Sequence, residues 1–129
     1  MERVTGIGGV FFKAKDVKAM TAWYQQHLGI PFGDNSYHSF RWVNENDPAV
    51  PGQTAFSFFK DDTDHFSPSE KPFMINFRVK DLAALLKQLK EEGVEIVGDM
   101  TEYEGFGKWG WCMDPEGNKI ELWEPVDGK

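Results

Sequence analysis

Apolar and polar residues alternate through several short stretches of this chain, and elsewhere apolar residues recur at helical spacing. Val10 and Phe12 alternate with Gly9, Phe11 and Lys13. Ile75, Phe77 and Val79 alternate with Met74, Asn76 and Arg78, and Ile120 and Leu122 with Lys119, Glu121 and Trp123. A period of two marks strands with one buried face. Two segments instead read as amphipathic helices, Val17 to Leu28 and Leu82 to Glu92. An aspartate, Asp16 or Asp81, stands before each as N-cap, and a glycine, Gly29 or Gly93, ends each. Further strands are predicted at YHSFRWV (37–43) and TAFSFFK (54–60), separated by the polar loop Asn44 to Gln53, and at EIVG (95–98), KWGWCM (108–113) and KIELWE (119–124). The turn chemistry of DPEGN (114–118) joins the last two as a hairpin.

One phrase of this pattern occurs twice. FFKAKDVKAM, Phe11 to Met20, matches NFRVKDLAAL, Asn76 to Leu85, at a shift of 65 residues, pairing Phe12 with Phe77, Lys13 with Arg78 and Asp16 with Asp81. The shift is half the chain, so the sequence predicts one α+β domain, residues 1–129, made of two βαβββ modules at roughly 4–60 and 72–125. A helix covers only one face of its sheet. The alternating set with polar members must take the other face: Gly9, Phe11, Lys13, Met74, Asn76, Arg78, Glu121 and Trp123. Shifting Glu121 and Trp123 back by 65 adds Phe56 and Phe58. Two curled sheets lined in this way enclose an open cup rich in aromatics, the usual makeup of a small-molecule site. Phe106, Trp109 and Trp111, among the glycines of EGFGKWGW, read either as its wall or lid or as packing in the core or a dimer interface.

Composition narrows the classes. A net charge of −7 leaves no electrostatic footprint for nucleic acid or an anionic membrane. No apolar run is long enough to span a bilayer, and the N-terminal stretch lacks the pattern of a secretion signal, so the expectation is a cytoplasmic protein. The single cysteine, Cys112, excludes an internal disulfide and reads as a buried, inert thiol. Aromatics make up 15% of the residues, with 5 Trp and 11 Phe, more than a chain this short is expected to keep from a ligand or partner surface.

With FFKAKDVKAMTAWYQQHLGI, FRVKDLAALLKQLKEEGVEI and DPEGNKIELWEP in this order, the chain resembles the vicinal oxygen chelate superfamily, which includes glyoxalase I, bleomycin-resistance and fosfomycin-resistance proteins and extradiol dioxygenases. The resemblance covers nearly the whole chain. It implies paired βαβββ modules forming a cup, within a homodimer. It also implies a divalent metal held by His and Glu from four strands, and here the family's four positions read Gly9, Phe56, Met74 and Glu121. Glycine and phenylalanine have no donor, a thioether is soft, and one carboxylate is too few. The histidines do not make up the set. His27 reads as an exposed cation at a helix end, His38 as a surface residue or one at the cup mouth, and His65 as part of a solvated acidic loop.

The sequence therefore predicts a metal-free, cofactor-free aromatic cup binding a small molecule, as bleomycin-resistance proteins do. The alternatives are a metal-independent lyase or isomerase with Glu121 as general base, or a metal-dependent glyoxalase- or dioxygenase-type enzyme with relocated ligands. Glu121 is expected to face the cup and touch the ligand. On that reading Glu121→Gln leaves folding intact or slightly stabilised.

Overall fold

The computed structural model describes residues 2–43, 47–49 and 51–126. Their elements run β1 (Val4–Ala14), α1 (Val17–Leu28), β2 (Tyr37–Val43), β3 (Pro51–Lys60), β4 (Phe73–Val79), α2 (Leu82–Glu91), β5 (Thr101–Tyr103), β6 (Gly107–Met113) and β7 (Lys119–Pro125). The strands form one open, mixed sheet in the order β2-β3-β1-β4-β7-β6-β5. Its halves share a plan: β3 lies parallel to β1 and β7 parallel to β4, while β1 and β4 pair antiparallel at the seam. The fold is α+β, as expected. No helix among the described residues is long and apolar enough to cross a membrane.

The helix boundaries follow from local chemistry. Asp16 Oδ1 accepts from Ala19 N at 2.9 Å, and Asp81 Oδ1 from Ala84 N at 3.1 Å, so each cap satisfies an amide that the first turn leaves open. Gly29 ends α1 at φ 71°, donating its amide to Gln25 O. In the DPEGN hairpin, Asp114 Oδ1 accepts from the amides of Glu116 and Asn118, and Oδ2 from Asn118 Nδ2. The hydrogen bonds from Asn118 hold the Asp114 carboxyl below its usual range.

Each helix builds a separate core. Val79, Leu82, Leu85, Cys112 and Leu122 form one under α2, and Ala14, Phe32 and Phe58 another under α1, with Met20, Tyr24 and Phe56 packed against it. Leu82 is fully buried, and a side chain so placed contributes about 1.5–3 kcal/mol. Cys112 is a buried free thiol, pushed up by burial and by the nearby Asp114 charge.

Three local expectations differ from the structure. Strand β3 begins at Pro51, inside the expected loop 44–53, of which residues 44–46 and 50 lie outside the described residues. Among the described residues the first half therefore contributes three strands to the sheet, and the second half four. The EIVG stretch makes only a bridge from Ile96 to Cys112, and the short edge strand β5 follows it.

The third difference concerns Phe56 and Phe58. They pack on the α1 side, against Tyr24 and Phe32, and not in the cup. Register explains this. Asn76 pairs with Glu121, but Phe11, the repeat partner of Asn76, pairs with Ser57. Ser57 follows Asp16 by 41 residues, whereas Glu121 follows Asp81 by 40. One extra residue turns the whole strand over, so β3 shows Ala55, Ser57 and Phe59 to the cup.

Candidate functional site

The uncovered face carries Phe11 and Lys13 from β1, Met74, Asn76 and Arg78 from β4, Trp109 and Trp111 from β6, and Glu121 and Trp123 from β7. It divides into a filled end and an open end.

Glu121 lies at the filled end and is only 4% exposed. Its Oε2 accepts from Asn76 Nδ2 at 3.1 Å and its Oε1 from Trp111 Nε1 at 3.2 Å. His65 Nε2 approaches Oε1 to 3.4 Å. The connection between β3 and β4, expected to be solvated, folds back over this end. His65 stacks on Phe59 with ring centroids 5.3 Å apart, and Phe66, 0% exposed, packs against Phe59 and under Lys13. Lys119 Nζ donates to His65 O at 2.7 Å and lies over the Trp111 ring. Burial pushes the Lys119 ammonium down, while Glu121 and Asp64 pull it back up. Thus Lys119 is the cation beside Glu121, with the His65 imidazole next to the carboxylate. Lys13 and Arg78 point elsewhere.

Gly8 makes room for this arrangement. It sits at a register shift in β1, and a Cβ there would collide with Asn76 Oδ1. That oxygen is buried and accepts no hydrogen bond.

At the open end, the Arg78 guanidinium lies between two indoles, its Cζ 5.4 Å from the Trp42 ring and 5.1 Å from the Trp123 ring. Its Nη1 donates to Gln53 O at 3.4 Å. Arg78 is 6% exposed, and burial lowers its pKa. Trp42 lies across Gly52, where a Cβ would strike its ring, and donates Nε1 to Thr54 Oγ1. Trp109 stacks on the other side of Trp123 at 5.9 Å, and Trp123 Nε1 donates to Phe106 O. A cavity of about 270 Å³ opens here, lined by Arg41, Gly52, Gln53, Gly105, Phe106 and Trp123, among others.

The expected cup residues are therefore split. Phe11, Lys13, Met74, Asn76, Trp111 and Glu121 belong to the filled end, and Arg78, Trp109 and Trp123 to the open end. Phe56 and Phe58 belong to neither. His38 pairs with Phe56 and shares the α1 side. His27 stays exposed beside Trp23. Trp42, Arg41, Gln53, Phe59, His65 and Phe66 were not predicted as site residues. Only the Trp content hinted at Trp42, and an apolar Phe66 in a run of charges was the one hint of the plug.

The corrected register changes the family's metal positions to Gly9, Ser57, Met74 and Glu121. A divalent ion does not fit this set: one hydroxyl and one carboxylate are its only oxygens, and both carboxylate oxygens already accept N–H bonds. Among the described residues no three His, Cys, Asp or Glu side chains gather.

The family model of the Glyoxalase/Bleomycin resistance protein/Dioxygenase superfamily matches residues 6–122, and the chain belongs to this superfamily. Several solved structures share its fold. Methylmalonyl-CoA epimerase from Mycobacterium tuberculosis is 21% identical, with a TM-score of 0.59 over 95% of this chain and 89% of that one. Methylmalonyl-CoA epimerase from Streptomyces coelicolor, in complex with 2-nitronate-propionyl-CoA, is 14% identical, with a TM-score of 0.68 over 96% and 99%. A superfamily member from Vibrio splendidus 12B01 is 11% identical, with a TM-score of 0.57 over 96% and 99%. No curated protein matches the chain.

Proposed function

We propose that this chain binds a small aromatic molecule without a metal, at the Arg78–Trp123 end of its cup, in the manner of a bleomycin-resistance protein. The observation that carries the reading is the 270 Å³ cavity beside an arginine clasped by two indoles. A planar ligand seated there would pack against the edge of Trp123 and under Phe106, which is 68% exposed and flanked by Gly105 and Gly107 at φ 84° and 123°. Glu121 acts in this reading as a buried brace for the sheet. The second reading, a lyase or isomerase using Glu121 as base, is favoured by the His65 imidazole beside the carboxylate. It requires the segment over Glu121 to lift, and Glu121 to give up two N–H bonds.

A thermal-shift screen of aromatic compounds is expected to yield ligands that quench tryptophan fluorescence. Trp123→Ala should weaken them about tenfold, the equivalent of about 1.4 kcal/mol, measured by calorimetry. Ligands held equally well by the variant would place the site elsewhere.

We further propose a cytoplasmic homodimer. The single cysteine is a free thiol, as suits a reducing compartment. Helix α1 packs mainly on β3 and α2 mainly on β6 and β7, leaving part of the β1–β4 seam open. Ile7, Phe12 and Phe73 stand exposed there as an apolar strip suited to a second copy. Light scattering should give twice the chain mass, and a monomer at micromolar concentration would refute this.

A further inference from the structure

We infer that the molecule held in this cavity is an aromatic anion, its ring against the edge of Trp123 and its acid group on Arg41. The inference rests on the proposed binding site and names the charge of its ligand. Three observations carry it.

The first is local charge. The chain holds 21 acidic against 14 basic residues, yet among the described residues no acidic side chain lines the cavity and Arg41 does. A second guanidinium, that of Arg78, borders it: Arg78 donates to Gln53 O and lies over Trp123, and both of these residues line the cavity. Glu124, the closest acid along β7, turns to the other face, where it accepts from Leu82 N and pairs with Lys108 at 3.7 Å. A guanidinium on the lining, with no acid among the described lining residues and Glu124 turned away, favours an anion in this space.

The second is the state of Arg41. It makes no hydrogen bond or ion pair among the described residues, while its fork suits bidentate binding of a carboxylate, sulfonate or phosphate. The third is the state of Trp123. Its N–H is spent on Phe106 O, and one face of the ring is covered by Trp109. The Arg78 guanidinium lies over the ring as well, so what Trp123 offers the cavity is apolar ring edge, which packs against the face of another ring and not a hydrogen-bonding group. The volume admits one or two fused rings with a short acidic arm.

The test uses three probes of one shape, titrated by calorimetry at pH 7 in low salt: 1-naphthylacetate, 1-naphthylacetamide and 2-(1-naphthyl)ethylamine. The acid is expected to bind at least tenfold tighter than the amide, and the amine most weakly. In Arg41→Gln the acid should fall by tenfold or more, to the level of the amide, while the amide keeps its affinity. Arg41 is exposed, so the variant should retain the parent's melting temperature. Raising salt should weaken the acid alone. If the amide or amine binds as well as the acid, or if Arg41→Gln leaves the acid unaffected, the inference is overturned and the aromatic site stands. If no probe binds at any charge, both fall.

Discussion

Phe66→Ala is expected to lower the unfolding free energy by about 3–5 kcal/mol, the range for emptying a fully buried aromatic site. Phe66 lies in a connection whose neighbours in sequence, KDDTDHFSPSE, are mostly charged or polar. Nevertheless it is 0% exposed. The cause is the sheet beneath it. Phe11, Phe59 and Met74 on the uncovered face have no helix above them, and the Phe66 ring meets Phe59 at 5.3 Å and the Lys13 ammonium at 5.4 Å. Removing the ring leaves a void, and it withdraws the support that holds His65 flat on Phe59. Urea denaturation measures the loss, and Phe66→Leu should recover much of it. A change below about 1 kcal/mol for the alanine variant would mean that the segment rests loosely on the sheet. The cup would then be open along its whole length, and Glu121 would return as a candidate base.

How far the sequence could be read depended on whether a signal was local. The caps at Asp16 and Asp81, the glycine stop at Gly29 and the DPEGN hairpin are set by chemistry within a few residues, and they lie where the pattern placed them. The alternation on β4 and β7 also held, because one face of each must meet α2: Phe77, Val79, Ile120 and Leu122 turn to that helix, and Asn76, Arg78 and Glu121 away from it. Strand β3 was misread by a single position. Its 54–60 stretch, TAFSFFK, has apolar residues on both faces, so alternation could not choose between them, and the repeat carried a shift that holds only as far as the helix. A shift of one residue exchanged Phe56 and Phe58 for Ser57 and Phe59. The contacts that define the site are long-range. His65 meets a carboxylate 56 positions away, and Trp42 meets Arg78 across the seam, over the space left by Gly6 and Gly52. No local pattern encodes such pairs.

Glu121→Leu is expected to cost about 3–5 kcal/mol, and Glu121→Gln about 1–2 kcal/mol. The glutamine value opposes the expectation drawn from the sequence, in which that change is neutral or slightly stabilising. That expectation placed the carboxylate among apolar cup residues, where a charge is a burden. Its neighbours are instead two donors, Asn76 Nδ2 and Trp111 Nε1, with the His65 imidazole at 3.4 Å and the Lys119 ammonium nearby. Leucine has a similar volume but no acceptor. It would strand two buried N–H groups and remove the negative charge that offsets the desolvation of Lys119. Glutamine retains one acceptor for Trp111. Its amide nitrogen would face the Asn76 amide, which can turn to present Oδ1, an oxygen that accepts nothing in the parent. The turn then leaves an Asn76 N–H without a partner beside Gly8, so the exchange reduces the cost without removing it. Equilibrium unfolding in urea should rank the parent above Glu121→Gln and Glu121→Gln above Glu121→Leu, with both variants still binding the aromatic acid at the other end of the cup. A leucine variant as stable as the parent would show that the carboxylate braces nothing. Loss of ligand binding in a folded glutamine variant would restore Glu121 to the site itself.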